Sequence, residues 1–464
     1  MHIIGGMLKR SSKAPFSFAG AGADHIFKLI TGHPSPSHLL PHLPLTPSLL
    51  SDVLSRLLLA HSPTSTALSL FLHSLPLSSP SSLHTLLHIL TRARHFELSS
   101  NLIQNILLSR PSILSPYSLA ILLSRHAKFQ SFNSTLHLFD ELRDSYTRAG
   151  CAFGIDEFNV LLRAFSVQRR MGDARRVFNR YHANFTPNSS TLNTLLLGFK
   201  EVGDLMALDL FYNEMVIRGF EPDVVSFNIR IDAYCKKGRF LDALVVFEEM
   251  RSKSLSPTLQ TLTTLVYGAG IARDLSKARQ LFDEMFDRGL AVDRGAYNAL
   301  ISSYMRVGDL NGGMAVMDEM AREGIELDDV SYYTVFSGLK KFEDVCKLYG
   351  RMVERGFMPR VRTVMLLMKV FCDNKRLDLG LQLWDYIVEK GLCLDCHVLD
   401  VLLIGLCSAG RVAESYQCFK QVVQSGRQPL DRTYRLLEGL IKVKDFEKLK
   451  ELRDMMSRFE DLDT

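Results

Sequence analysis

The chain has 464 residues, 47% of them hydrophobic, and 55 lysines and arginines against 50 aspartates and glutamates, for a net charge of +5. That is ample apolar material for a buried core, and no run reaches the roughly 18 uninterrupted apolar residues that a membrane-spanning helix needs. The excess charge sits in the first 150 residues, with 12 basic and 6 acidic side chains, while the remainder holds 43 and 44; a nucleic-acid partner would therefore need charge sorted between faces, not a bulk excess.

In residues 1–45, Lys9, Arg10, Lys13 and Lys28 are opposed by Asp24 alone in a background of Ser, Gly and Ala. This composition predicts an organelle transit peptide or disordered leader, since the apolar core of a secretory signal is missing. The expected destination is the mitochondrion, with the chloroplast as the alternative. Residues 46–154 carry Leu49, Val53, Leu54 and Leu57, then Leu83, Leu86, Leu87 and Leu90, at helical spacing. They read as divergent helical hairpins capping the array that begins at Ile155. The hairpin from Ser115, with Leu119, Leu123 and Phe139 in place, is several residues too long, and the excess is expected as a loop over Ser145 to Gly154.

From Ile155 onward a period takes over. Met215, Met250, Met285 and Met320 are 35 apart, as are Gly219, Ser254, Gly289 and Gly324, and Asp223, Thr258, Asp293 and Asp328. A fixed period in this range marks a solenoid. Within one copy, Phe227, Ile231 and Tyr234 make one helical stripe, Gly238 breaks the run, and Ala243, Val246, Phe247 and Met250 make a second. A hairpin of two three-turn helices cannot bury both stripes alone, so neighbours must stack and share a core. The predicted class is all-α.

The array divides into nine repeats: 155–188, 189–223, 224–258, 259–293, 294–328, 329–360, 361–395, 396–430 and 431–464. The sixth loses three residues where Gly338 to Phe342 joins its helices, and Gly356, Gly391 and Gly426 resume the period. Glu460, Asp461 and Asp463 give the last repeat a polar end, as an end cap needs. Phe178, Tyr212, Phe247, Phe282, Tyr349, Trp384 and Phe419 form one column in the second helices. A column shared by nearly every repeat and flanked by Leu or Val predicts packing between hairpins, not a stacking surface for bases.

Catalytic chemistry finds no foothold in the sequence. The eight cysteines lie mostly in helical stretches and read as reduced, buried thiols. Cys393-Leu394-Asp395-Cys396-His397 fits a haem-attachment string but straddles two repeats. A zinc site would need two more ligands, and His397 is one of only two histidines beyond residue 150. His95-Phe96-Glu97 lacks the Pro-Cys-x-x-Cys partner of a zinc deaminase, and there is no phosphate-binding GxxxxGK[ST] loop or nucleophile elbow. No cofactor, metal, small-molecule substrate or enzymatic activity is expected.

The frame Phe282-Asp283-Glu284-Met285, then Tyr297-Asn298-Ala299-Leu300-Ile301 and Gly308, with Glu221-Pro222-Asp223 closing a repeat, resembles the pentatricopeptide repeat, of the repeats-only type found in plant organelles. The resemblance covers 155–464 well and 46–154 loosely. It implies a right-handed α-solenoid that binds single-stranded RNA, about one base per repeat, along a groove lined by the first helices. The fifth and last residues of each repeat would read the base edge. Carried over, the pairs are Asn159 with Asn188, Asn193 with Asp223, Asn228 with Thr258, Thr263 with Asp293, and Asn298 with Asp328. In the family's code they imply pyrimidine-U-pyrimidine-G-U. Short polar side chains of this kind can offer donors or acceptors to an unstacked base.

Tyr333 with Arg360, Met365 with Asp395 and Asp400 with Leu430 depart from that code. The second residue, a base clamp in the family, is Val225 and Val330 in two repeats, but Ser190, Gln260, Gly295, Arg362, His397 and Arg432 elsewhere. Arg362 and Arg432 could meet phosphates or stack on bases. The function implied is a sequence-selective RNA-binding adaptor in organellar RNA processing, splicing, stabilisation or translation, with RNA-processing factors or the organelle ribosome as further partners. The alternative is a structural component of an organelle ribosome or complex that touches rRNA or protein without reading sequence. A peptide-binding solenoid is the third reading.

Overall fold

The computed structural model describes residues 20–32, 40, 43, 45–390, 396–441 and 446–460. These residues form α-helices, short 3-10 turns and connecting loops, so the fold is all-α. Two compact units are present, residues 1–233 and 234–464. In the first, α1 (Gly20–Gly32) precedes the hairpins α2 (Pro47–Leu59) with α3 (Thr64–His73), α4 (Pro80–Arg92) with α5 (Phe96–Ser109), α6 (Pro116–Phe129) with α7 (Phe132–Arg148), α8 (Ile155–Val167) with α9 (Met171–Tyr181), and α10 (Ser189–Val202) with α11 (Leu205–Ile217). Helix α12 (Val224–Lys236) comes next.

The second unit continues with α13 (Phe240–Ser252), then α14 (Leu259–Ile271) with α15 (Leu275–Asp287), α16 (Arg294–Val307) with α17 (Leu310–Arg322), and α18 (Asp329–Gly338) with α19 (Phe342–Glu354). It ends with α20 (Val361–Asp373) and α21 (Leu377–Glu389), α22 (Cys396–Ser408) and α23 (Val412–Gln424), and α24 (Asp431–Ile441) and α25 (Phe446–Glu460). Inside each unit the first helix of a hairpin packs on the first helix of the next: α4 on α6, α6 on α8 and α8 on α10, then α14 on α16, α16 on α18, and α18 on α20. The hairpins thus stack as a solenoid within each unit.

Two columns make the shared core. The aromatic column is buried throughout, from Phe178 and Tyr212 to Trp384 and Phe419. It meets the fourth residue of the following first helix: Tyr212 lies edge-on to Phe227 at 6.1 Å, and Phe282 to Tyr297 at 4.9 Å. Phe227, Leu262, Tyr297 and Leu399 are 0% exposed. Burying side chains of this size contributes roughly 1.5–3 kcal/mol each, which is why hairpins too small to fold alone hold together. At one crossing the backbones come close: a Cβ on Gly270 would collide with the Cα and side chain of Ser303 on the neighbouring helix.

Two stretches have more helix than a plain leader or loop would. Residues 20–32 of the expected transit peptide or leader are not coil. Helix α1 buries Ala23, Ile26 and Ile30 and packs on α2, and Asp24 pairs with Arg56; residues 1–19 lie outside the described part. Nor is Ser145 to Gly154 all loop. Helix α7 runs 17 residues to Arg148 and buries Ser145 and Tyr146, so a longer second helix absorbs most of the excess. In the sixth repeat the missing residues come from α18, which is only 10 residues long. Gly391, Cys393, Asp395, Asp461 and Asp463 lie outside the described residues.

Helix ends explain another column. Gly219, Gly289, Gly324, Gly356 and Gly426 all take positive φ, between 63° and 86°, just past the second helices, and Ser254 takes φ 57° in the same place. The left-handed conformation costs a residue with a Cβ about 1 kcal/mol or more and glycine little. Ser254→Gly should therefore stabilise the protein by about 1 kcal/mol, seen as a higher urea midpoint; an unchanged or lower midpoint would refute the strain.

Candidate nucleic-acid interface

The last residue of a repeat is also the N-cap of the next first helix. Asn188, Thr258, Asp293 and Asp328 each accept a hydrogen bond from the backbone three residues on, and Asp223 does so from Ser226 N at 2.8 Å. Asn, Asp and Thr are strong N-caps because their side-chain oxygens satisfy helix N–H groups that have no intrahelical partner. The column singled out as base-reading therefore has a structural duty first.

At least three of the five expected pairs are brought together. The Asn193 amide donates to both carboxylate oxygens of Asp223, at 3.1 and 3.2 Å. The Asn298 amide reaches Asp328 at 3.3 Å, and Asn159 reaches Asn188 at 3.5 Å. A residue that sequence reasoning passed over closes the first two. Ser226 Oγ approaches Asn193 Oδ1 at 2.7 Å and Asp223 Oδ1 at 3.0 Å, and Ser331 Oγ repeats both distances with Asn298 and Asp328. Each joint is a clasp of three side chains from two adjacent repeats. The clue was in the sequence: Thr191, Ser226, Thr261, Ser331, Thr363 and Thr433 all stand third in their repeats, and all are buried.

The clasp changes how the candidate readers are presented. Asn193 is only 7% exposed, so Asp223 is the more accessible member of its pair. Asn228 is half-buried and Thr258 exposed. Thr263 differs again. The third residue after Asp293 is Ala296, which has no hydroxyl, and Thr263 Oγ1 is left buried without a hydrogen-bond partner. Asp293 itself caps α16 through Ala296 N at 2.9 Å and remains exposed.

Where the last residue is not a capping side chain, a carboxylate elsewhere takes over. Arg360 gives α20 no side-chain cap, and Asp329, the first residue of α18 in the preceding repeat, accepts from Arg360 N and from Thr363 Oγ1, each at 2.8 Å. Leu430 offers nothing polar, and Asp400, in the fifth place, bonds Thr433 Oγ1. The departures from the family pattern are thus relocations of the same clasp. Met365 is half-buried, and its paired position Asp395 lies outside the described residues.

Of the second-place residues, Val225 and Val330 are exposed at 37% and 54%, available as apolar clamps. Arg432 is exposed. Arg362 is exposed as well, but its guanidinium lies 3.9 Å from the centroid of the Tyr333 ring, so its stacking partner in this structure is a protein side chain.

Ion pairs cross repeats on both sets of helices. On the first helices Lys200 meets Asp232 at 2.8 Å, and several cations of the second helices are paired likewise: Arg175 with Glu214, Arg251 with Glu284 at 2.6 Å, Arg279 with Glu319 at 2.8 Å, and Arg351 with Asp318. On the first helices, Arg163, Arg306, Arg362, Lys369 and Arg432 have no carboxylate partner among the described residues, Arg306 instead lying over Tyr267. A near-neutral array can therefore still offer cations to a polyanion on one set of helices.

The clasp is also visible in titration. Burial alone would raise the Asp328 carboxyl, but the Ser331 backbone and hydroxyl, the Asn298 amide and Arg294 outweigh it and hold the pKa below its usual 3.8. A depressed folded-state pKa adds stability above the unfolded value that is lost as pH falls through the folded one. Asp328→Asn should therefore lower stability at pH 7 and flatten its decline below about pH 4, measured by urea unfolding across pH 2–7; an unchanged acid limb would count against the clasp. Ser226→Ala should cost about 1–3 kcal/mol by stripping partners from a buried amide oxygen and a carboxylate, and a loss well under 1 kcal/mol would show that the hydroxyl is idle. At Thr263 the sign reverses: Thr263→Val replaces an unpaired buried hydroxyl by a methyl group and should raise the urea midpoint. A lower midpoint would mean that the hydroxyl has a partner.

The PPR repeat family profile matches residues 187–235, 222–270 and 292–341, and a PPR repeat profile matches 260–290. A pentatricopeptide repeat-containing protein of Arabidopsis thaliana is 43% identical over 97% of this chain and 93% of its own length. A second, described as putative, is 34% identical over 93% and 89%. Among solved structures, the pentatricopeptide repeat protein PPR10 from maize superposes with a TM-score of 0.54 at 21% identity, over 94% of this chain and 63% of that one, a likeness of fold. By repeat architecture and by identity along nearly the whole length of two relatives, the chain belongs to the pentatricopeptide repeat family.

Proposed function

We propose that the chain is a sequence-selective single-stranded RNA-binding adaptor of an organelle, with the mitochondrion as its destination. One observation carries the reading. At recurring joints a carboxylate and an amide or hydroxyl are held at a fixed place beside the first helices, and those helices also carry cations without a carboxylate partner among the described residues. Oriented acceptors and donors of this kind suit a base edge, and free arginines suit phosphate. Repeats 155–328 are the readers, with Asn159 and Asn188, Asn193 and Asp223, Asn228 and Thr258, Thr263 and Asp293, and Asn298 and Asp328 in contact with successive bases. Residues 46–154 cap the array, and the basic segment at the N-terminus directs import. Arabidopsis relatives bear both mitochondrial and chloroplastic names.

The joint of Thr263 and Asp293 is the sharpest point of the proposal, because it lacks the third-place hydroxyl and leaves the Asp293 carboxylate exposed beside its N-cap bond to Ala296 N. Guanine is the base expected there. The test is equilibrium binding of the purified chain to single-stranded RNA oligonucleotides containing CUCGU and to variants of its G. Wild type should favour G, Thr263→Asn should move the preference to U, and Thr263→Val should flatten it, each by about tenfold, or about 1.4 kcal/mol. Indifference of all three proteins to the base would remove the assignment. Ultraviolet crosslinking in isolated organelles then separates the adaptor from a ribosomal component: a few transcripts with a pyrimidine-rich site containing G support the former, and a footprint confined to ribosomal RNA supports the latter.

A further inference from the structure

The repeat 329–360 breaks the pattern of its neighbours in a way that leaves a different surface. Its fifth residue is Tyr333 and its last is Arg360, so neither the amide nor the carboxylate of the usual pair is present. The clasp has moved to Asp329, which accepts from Arg360 N and Thr363 Oγ1, and this frees both positions from holding the joint. Arg362, from the first helix of the next repeat, has its guanidinium over the Tyr333 ring at 3.9 Å and is otherwise exposed. Val330, one helical turn before Tyr333, is exposed at 54%. Neither the Arg360 nor the Arg362 guanidinium has a carboxylate partner among the described residues.

A guanidinium braced on one face by an aromatic ring keeps its other face available as a flat cationic surface, and every nucleobase has a π-face to lay on it. Resting on the RNA-binding reading above, we propose that the repeat 329–360 grips its base by stacking on the Tyr333–Arg362 pair, with Val330 as the opposing apolar wall, and is indifferent to which base it holds. It is an anchor following the readers, and the specificity of the protein stops at Asp328. The phosphate beside that base falls to Arg360.

The probe is a set of four RNA oligonucleotides, CUCGU followed by A, C, G or U, with a fifth carrying 2-aminopurine at the last place. Wild type should bind all four with affinities within about twofold, and the 2-aminopurine should be dimmed on binding. Tyr333→Ala and Arg362→Lys should each weaken all four by roughly tenfold and restore the fluorescence, whereas Tyr333→Phe should behave as wild type. Arg362→Lys is decisive, since it keeps the charge and loses the plane. Unchanged binding by that variant means a phosphate contact alone, and a strong preference among the four bases means edge reading; either overturns the anchor. Wild type that discriminates the G of CUCGU but is unmoved by the Tyr333 and Arg362 variants overturns this inference only. Wild type that binds none of the oligonucleotides overturns the RNA reading and the anchor with it.

Discussion

A three-turn helical hairpin has two apolar stripes and no way to bury both, and the rest of the molecule is shaped by that shortage. Each repeat must lend its aromatic column to the first helix of the next, as Tyr212 does to Phe227 and Phe282 to Tyr297. The arrangement makes every hairpin dependent on its neighbours, and it fixes the repeat length, because a shifted helix would carry its stripe off the shared core. The left-handed residues after the second helices, and the close approach at Gly270, are local consequences of the same geometry.

Stacking apolar faces fixes distance but not angle, and the clasps supply the polar detail. A single carboxylate such as Asp223 caps a helix, receives the amide of Asn193 and meets the hydroxyl of Ser226. Hydrogen bonds to a charged acceptor contribute more than neutral ones, roughly 1.5–3 kcal/mol each. They also hold the polar atoms of one joint in a fixed orientation, which is what recognition of a base edge would need. The joint after Asp293 omits the hydroxyl and strands Thr263, and the joint after Arg360 borrows Asp329. Structural need and candidate function share the same few atoms, so a change in one alters the other.

Electrostatics is local to the joints. Arg251, Arg279 and Arg351 of the second helices are spent on carboxylates of adjoining repeats, while Arg362 and Arg432 on the first helices have no carboxylate partner among the described residues. Net charge over residues 151–464 conceals this, because a balanced count says nothing about which helix carries the unpaired cation.

The repeat, the pairing of helices, the buried aromatic column and the family were all legible in the sequence, because a period of 35 residues copies the same packing demand several times over and leaves few alternatives. The side chains at the joints were legible too, though the last-residue column was assigned to base reading without its N-cap duty. How those side chains are spent was not. The engagement of Ser226 with Asn193, of Ser331 with Asn298 and of Arg362 with Tyr333 brings together residues about 30 positions apart, and the burial of Asn193 and the unpartnered hydroxyl of Thr263 are likewise outcomes of packing. The helix in α1 and the extension of α7 were hidden for a related reason: both lie outside the periodic region, where the only signal is local composition and packing against a neighbour makes the choice. Periodicity states which faces must be covered; the folded chain settles which polar atoms remain for something else to bind.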